Sequence, residues 1–390
     1  MRAARALVMG AVIAAAAGPA HAEESARLVD RPRVVFDWSR DACAEHHYPD
    51  LPVRAYRDAE GRVQLLLPHY ETRRMSGPRL SRLSVSCDVV FGSAHDPRPL
   101  RYDDRAWLAA VWTTDGRTLR ALVHAEYLGS LHPGRCPGGG LFRCWQNAIT
   151  SAVSRDGGRS FTRPAPPGHL VAAGPYRYRA GSGPAGVFAP SNIVRNPVDG
   201  RFYVMVQVER REAQPWGVCL LRTRRLADPH SWRAWDGSAF RVGFRDPYRT
   251  TLARRSVCRS VARDALQKVH ESLTWNAYLE RWVAVGVAHT GRGRGPGVRS
   301  GIYWSTSRNL ITWTPRRLLM RAELPWTHQC GDRDPVLYPS LIDPRSRSRN
   351  FDVTGRTALL FYTRFNMRGC ARGSDRDLLR RTVVFSRSSP

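Results

Sequence analysis

The sequence predicts an all-β chain, a five-bladed β-propeller of four-stranded antiparallel blades. Three observations carry this. Strand-like runs separated by Gly, Pro, Asn and Asp recur along the chain while helical periodicity is scarce. A longer unit recurs, each copy a strand, a turn and a second strand followed by one or two outer strands. The outer strands close on related turns, SRDGGRSF, TRRLADPHSW and STSRNLITW. Four-stranded units arranged radially make a propeller.

The units are read in order. The first begins PVRAYRDAEGRVQLLLPHYE, with RLSVSCDVVF as outer strand. The second runs from WLAAVWTTDGRTLRALVHAEY to ITSAVSRDGGRSF, and the third from APSNIVRNPVDGRFYVMVQVE to VCLLRTRRLADPHSWRAW. The fourth pairs ESLTWNAYLERWVAVGVAH with GIYWSTSRNLITW; the fifth pairs YPSLIDPRSRSRNFDVTGRTALLFYTR with RRTVVFSRS. In SRDGGRSF the Asp and Ser side chains suit a turn that bonds its own backbone, and the Phe suits packing beneath it. Its own chemistry is structural.

Residues 1–22 read as a signal peptide: a basic MRAAR, an apolar ALVMGAVIAAAAG, and Ala20-His21-Ala22 as a small-x-small cleavage site. Residues 23–390 are then expected to form one propeller domain, secreted or periplasmic and monomeric. No transmembrane segment is expected once the leader is removed. Eight cysteines in an oxidising compartment are expected to form four disulfides, whose connectivity sequence alone leaves open. Local order suggests Cys43–Cys87, Cys136–Cys144, Cys219–Cys258 and Cys330–Cys370. No CxxC or compact Cys/His cluster supports a zinc site.

The formal charge is +28, and Lys268 is the sole lysine among 61 basic residues. A field this positive attracts polyanions, and arginine grips carboxylates bidentately. The basic residues are scattered rather than arranged in a stripe, which weighs against a sequence-specific nucleic-acid site. A glycan, possibly acidic, is the expected partner.

Propeller geometry nominates a funnel, lined by residues just before each first inner strand and just after each second one. Those positions hold Asp50 and Arg54, His69 and Glu71, then Asp104, His124 and Glu126. Further round come Ser191, Asn192 and Glu209, then His270, Glu271 and His289, and finally Asp334, Tyr338, Ser340 and Arg364. Glycoside hydrolysis needs two carboxyl groups flanking the scissile bond, one protonated and one ionised. Glu126, following an apolar strand, is the expected general acid, with Asp50 or Glu271 as base or nucleophile. His124 and Arg54 would tune the pair, and Asn192 and Tyr338 would hold sugar hydroxyls. His289 and Arg364 complete the substrate-binding set. No cofactor or metal is expected, although histidines such as His289 leave room for a structural cation.

SRDGGRSF resembles the Asp-box of sialidases and other propeller glycosidases. STSRNLITW and TRRLADPHSWRAWDG resemble the outer turns of five-bladed, family-43-like glycoside hydrolases that act on arabinan. This resemblance implies an enzyme acting on an arabinan-like or acidic glycan. It places Asp50 at the position of the family's Asp before the first inner strand, and Asp104 at that of a second Asp. The family's third-blade glutamate has no counterpart in FAPSNIV, which leaves Glu271 as a relocated acid. PVRAYRD likewise resembles the arginine-bearing first strand of sialidases. A sialidase-like enzyme and a non-catalytic propeller that binds an anionic glycan or a surface partner are the alternatives.

Overall fold

The computed structural model describes residues 24–249, 256–290 and 299–387; the expected signal peptide, residues 1–22, lies outside them. Two edge strands, β1 (Glu24–Leu28) and β2 (Arg33–Phe36), precede the first unit. That unit is β3 (Arg54–Arg57), β4 (Val63–Leu67), β5 (Glu71–Arg79) and β6 (Arg82–Gly92). The second is β7 (Arg105–Thr113), β8 (Leu119–Leu128), β9 (Trp145–Ser154) and β10 (Leu170–Ala173). The third holds β11 (Ala185–Phe188), β12 (Val194–Arg195), β13 (Phe202–Val208), β14 (Gly217–Thr223), β15 (Arg233–Trp235) and β16 (Phe240–Val242). The fourth is β17 (Ser272–Asn276), β18 (Arg281–Thr290), β19 (Arg299–Ser307) and β20 (Arg317–Arg321). The fifth comprises β21 (Val336–Ile342), β22 (Val353–Thr354), β23 (Thr357–Phe365) and β24 (Arg376–Arg387), with β22 lent to the fourth sheet beside β17. Described α-helix is confined to two four-residue turns, Trp38–Asp41 and Arg263–Leu266.

Within each unit, successive long strands pair antiparallel as meanders. The second and third sheets are continuous, because β11 pairs antiparallel with β13 and parallel with β9. Gly186 permits that approach. Its φ is 105°, and a Cβ there would stand 2.0 Å from the Asn147 carbonyl oxygen. At the other end of the chain, β1 and β2 both pair with β24, so N-terminal strands cover the outer edge of the last sheet. That pairing removes an open edge, the usual liability of an exposed strand.

The apolar core lies between neighbouring sheets. Leu66 packs in one cluster with Leu108, Ile149 with Val204, and Leu220 with Leu273. Trp304 shares a cluster with Phe385, and Leu65 of the first unit joins Phe361 of the fifth. The packing therefore runs round a closed ring. At its axis sits Arg54, which donates Nε to Ala109 O at 2.9 Å, and Nη2 to Pro190 O at 3.2 Å and Glu271 O at 2.8 Å. Its Nη1 reaches Ser340 Oγ at 3.4 Å. One guanidinium from the first unit thus meets all four others. The fold is a β-propeller.

The four disulfides are Cys43–Cys87, Cys136–Cys144, Cys219–Cys258 and Cys330–Cys370, the pairing that local order suggests. No helix among the described residues is long and apolar enough to cross a membrane.

Candidate active site

Strand register places the polar ends of the inner strands side by side. Glu126 on β8 lies between Arg105 of β7 and Asn147 of β9, and His124 lies between Trp107 and Ile149. Directly opposed residues share a sheet face. His124 is buried, and its Nδ1 accepts the Ala189 N–H at 3.1 Å. A ring nitrogen that accepts carries no proton, so Nε2 is the protonated one and donates to Glu126 Oε1 at 2.9 Å. One backbone amide of the third unit therefore sets the tautomer that orients a carboxyl group of the second. Glu126 itself keeps 14% side-chain exposure and lines a small recess with Tyr102, Gln146 and Asn147.

Asp50, ahead of β3, is anchored by its own N–H to Pro68 O at 2.8 Å. Its Oδ1 accepts from the Tyr338 hydroxyl at 3.2 Å and from Arg376 Nη1. Arg376 is braced over the rings of Tyr48 and Phe365, at 4.3 and 4.4 Å from their centroids. Tyr338 sits at an irregularity of β21 between Leu337 and Ser340, with φ at 59°. Burial pushes its phenol well above the usual range; the nearby Asp50 and Glu126 charges push the same way and Arg376 opposes them. Tyr338 therefore stays a hydrogen-bond donor, directed at Asp50.

Aromatic rings wall this region. His69 stacks on His46 at 5.4 Å and stands 6.0 Å from Trp107. Burial pulls the His69 imidazole down to about 3, so it is neutral at ordinary pH. Arg105 lies 4.8 Å over the Tyr70 ring.

The remaining sequence-selected residues are placed differently. Glu271 is 8% exposed, with Oε2 accepting the Val287 N–H at 2.6 Å. Burial pushes its carboxyl up to about 7, while the Val287 bond and the charges of Arg54 and Lys268 pull back. Arg54 is committed to the axis as described. Asn192 bonds both backbone groups of Leu273, Oδ1 accepting at 2.8 Å and Nδ2 donating at 2.6 Å, and so ties the third unit to the fourth. Arg364 donates to Asn366 Oδ1 and Asp377 Oδ2 at 2.7 and 2.6 Å within the fifth unit. His289 lies near the end of β18 with Nδ1 buried and unpartnered. Among the described residues no group of three or more His, Cys, Asp or Glu side chains is arranged to hold a metal ion. Asp104 accepts the Leu128 N–H at 3.0 Å and approaches His132 Nε2 at 3.0 Å.

Two polar groups at the site escape the strand-end rule. Arg376 comes from an outer strand, β24, and reaches Asp50 across the fifth unit. Asn147 opens β9 opposite Glu126, 1% exposed with both amide atoms unpartnered. A buried amide is costly to leave unpaired. A polar side chain interrupting WQNAITSAV is the one sequence signal that points to it.

No family profile matches the chain, and neither does any curated protein. Solved structures do resemble it. A thermostable family-43 glycoside hydrolase shares 10% identity at a TM-score of 0.45, covering 88% of this chain and 96% of its own. An exo-1,5-α-L-arabinanase from a bovine ruminal metagenomic library shares 8% identity at 0.44, covering 86% and 94%. A xylan β-1,4-xylosidase from Bacillus halodurans shares 9% at 0.41; 87% of this chain spans about half, 54%, of that enzyme.

Proposed function

We propose that this protein is an exported glycoside hydrolase built on five blades, acting on an arabinan-like or acidic glycan at the cluster of Asp50, Tyr338 and Glu126. The observation that supports this most is the His124–Glu126 pair, in which the Ala189 amide fixes one ring nitrogen and the other orients the carboxyl group. A second carboxyl group, Asp50, is held by Tyr338 and Arg376. Cleavage of a glycosidic bond uses two such carboxyl groups. With Oε1 of Glu126 occupied by His124, Oε2 is the oxygen that would deliver a proton to the departing sugar oxygen. Asp50, fixed by Arg376 and Tyr338, is the base or nucleophile. Asn147 and Trp107 are candidates to contact sugar hydroxyls and a sugar face.

Glu271 is given a different role from the one its strand position suggests. It sits beside the axial Arg54 and against the Val287 amide, so its charge acts on stability rather than on a bound sugar. Four disulfides fit an oxidising compartment, and the reading takes residues 23–390 as one monomeric domain.

The test begins with a panel of arabinan, arabinogalactan and sialylated glycans. On whichever substrate is cleaved, Glu126→Gln should reduce turnover by about 10²–10⁴-fold with little change in thermal midpoint, because the shape stays and the proton goes. Asp50→Asn should give a loss of the same order. Full activity in both variants would refute this site, and no cleavage across the panel would favour the glycan-binding protein.

A further inference from the structure

The hairpin turns between β3 and β4, between β7 and β8, and after β9 lie at the other end of these strands from Asp50 and Glu126. Between them, at the junction of the first and second units, is a groove of about 610 Å³. Five arginines line it: Arg62, Arg74, Arg117, Arg155 and Arg159. No ion pair engages any of these five among the described residues. Arg74 bonds Gln64 Oε1 at 3.2 Å, while its Nε is buried without a partner.

The acids on the same walls are already engaged. Asp58 accepts from Arg62 N at 2.8 Å and Gln64 Nε2 at 2.7 Å. Asp156 accepts from the Ser154 and Ser160 hydroxyls at 2.7 and 2.6 Å and from two backbone amides. Those donors are neutral, so Asp58 and Asp156 keep their charge, and with Glu60 three carboxylates face five guanidinium groups, a cationic excess. The groove therefore presents unspent cationic hydrogen-bond donors around a volume large enough for sugar rings. Guanidinium forks match carboxylate and sulfate oxygens. No aromatic side chain lines the groove, so it lacks the stacking platform on which single-stranded bases are held.

We propose that this groove is a second binding site, for an acidic polysaccharide whose carboxylate or sulfate groups are gripped by Arg117, Arg155 and Arg159. The turn SRDGGRS then does more than close a sheet. Its Asp and Ser residues hold the loop, and its two arginines face outward to the ligand. The site is independent of the hydrolase reading and would stand if that reading failed.

The experiment measures binding of the full mature protein to polygalacturonate, heparin and a single-stranded DNA oligomer. It compares the wild type, the R117Q/R155Q/R159Q variant and a control, R210Q/R224Q/R368Q, which removes three exposed charges elsewhere. Binding to polygalacturonate or heparin should fall about tenfold or more in the groove variant and less than about twofold in the control. The preferred glycan tells carboxylate from sulfate. E126Q should bind as the wild type does, which separates this result from any loss of catalysis. In the wild type, saturating glycan should also shield Arg117, Arg155 and Arg159 from phenylglyoxal, read by peptide mass mapping. Equal losses in both triple variants, no binding to either glycan, unshielded groove arginines, or DNA bound more tightly than both glycans through the same arginines would overturn the proposal.

Discussion

Glu271 is a carboxyl group whose burial couples its proton to the stability of the fold. Its carboxyl holds a proton in the folded chain up to about 7, against an ordinary value of 4.5, chiefly because it is buried. The folded state thus binds more protons than the unfolded chain between those values. Its contribution is present in full below the unfolded value and is lost as pH rises through the folded one. The cost of ionising it is on the order of 3 kcal/mol. Glu271→Gln keeps an acceptor for the Val287 amide and removes the titration. The variant should match the wild type in thermal midpoint near pH 4 and exceed it near pH 8. Parallel midpoint curves for the two proteins would show that Glu271 is not the group responsible.

At the scale of the element, one turn design recurs. A hydroxyl residue followed two places later by Asp or Asn folds the chain back, and both side chains accept from amides further on. Thr113 and Asp115 do this between β7 and β8, Ser154 and Asp156 after β9, and Ser307 and Asn309 after β19. The aromatic that follows is buried beneath the turn in two cases, Phe161 and Trp313. Burial opposes the Asp156 charge, but the two serine hydroxyls and two amides outweigh it and pull the carboxyl down to about 2. Asp156→Ala should cost about 1–2 kcal/mol, the range for losing a set of exposed local acceptor bonds. A fall in the denaturation midpoint with unchanged turnover is the expected pair of results. Because the folded carboxyl is the more acidic, wild type and variant should converge as pH drops from about 4 toward 2.

For the whole molecule, closure of the ring depends on groups far apart in sequence. Arg54 meets acceptors up to 286 residues away. Burial works against its charge, and Glu271 beside it works in favour. Arg54→Met would fill similar space while leaving carbonyls of the second, third and fourth units without a donor. A loss of about 3–5 kcal/mol in chemical denaturation is expected. Arg54→Lys should recover only part of it, since an ammonium cannot span four directions from one planar fork. The disulfides act at the same scale. Cys43–Cys87 ties the segment before the first unit to β6, and Cys330–Cys370 ties the approach to the fifth unit to the loop before β24. The mature protein should show no alkylatable thiol by mass spectrometry until it is reduced, and its thermal midpoint should fall on reduction.

Periodicity and turn chemistry are properties of neighbouring residues, so the strands, their hairpins and the repeating unit were legible in the chain. The cysteine pairing followed because each partner is the next in order, and the polar strand ends of VHAEY and VHESLTWN stood out against apolar runs. Tertiary structure decided which of those ends meet. An arginine opening an inner strand reads alike whether it faces a funnel or the axis, and only ring closure assigns Arg54 to the carbonyls of other units. The two bonds that Asn192 makes to Leu273 cross between units 81 residues apart, and no local pattern announces them. Arg376 was hidden because it belongs to an outer strand, and its reach to Asp50 depends on how Tyr48 and Phe365 brace it. The union of the second and third sheets rests on the backbone contact that Gly186 allows with Asn147. Local bonding is written in consecutive residues, whereas convergence at an axis is fixed by the packing of every sheet on the next.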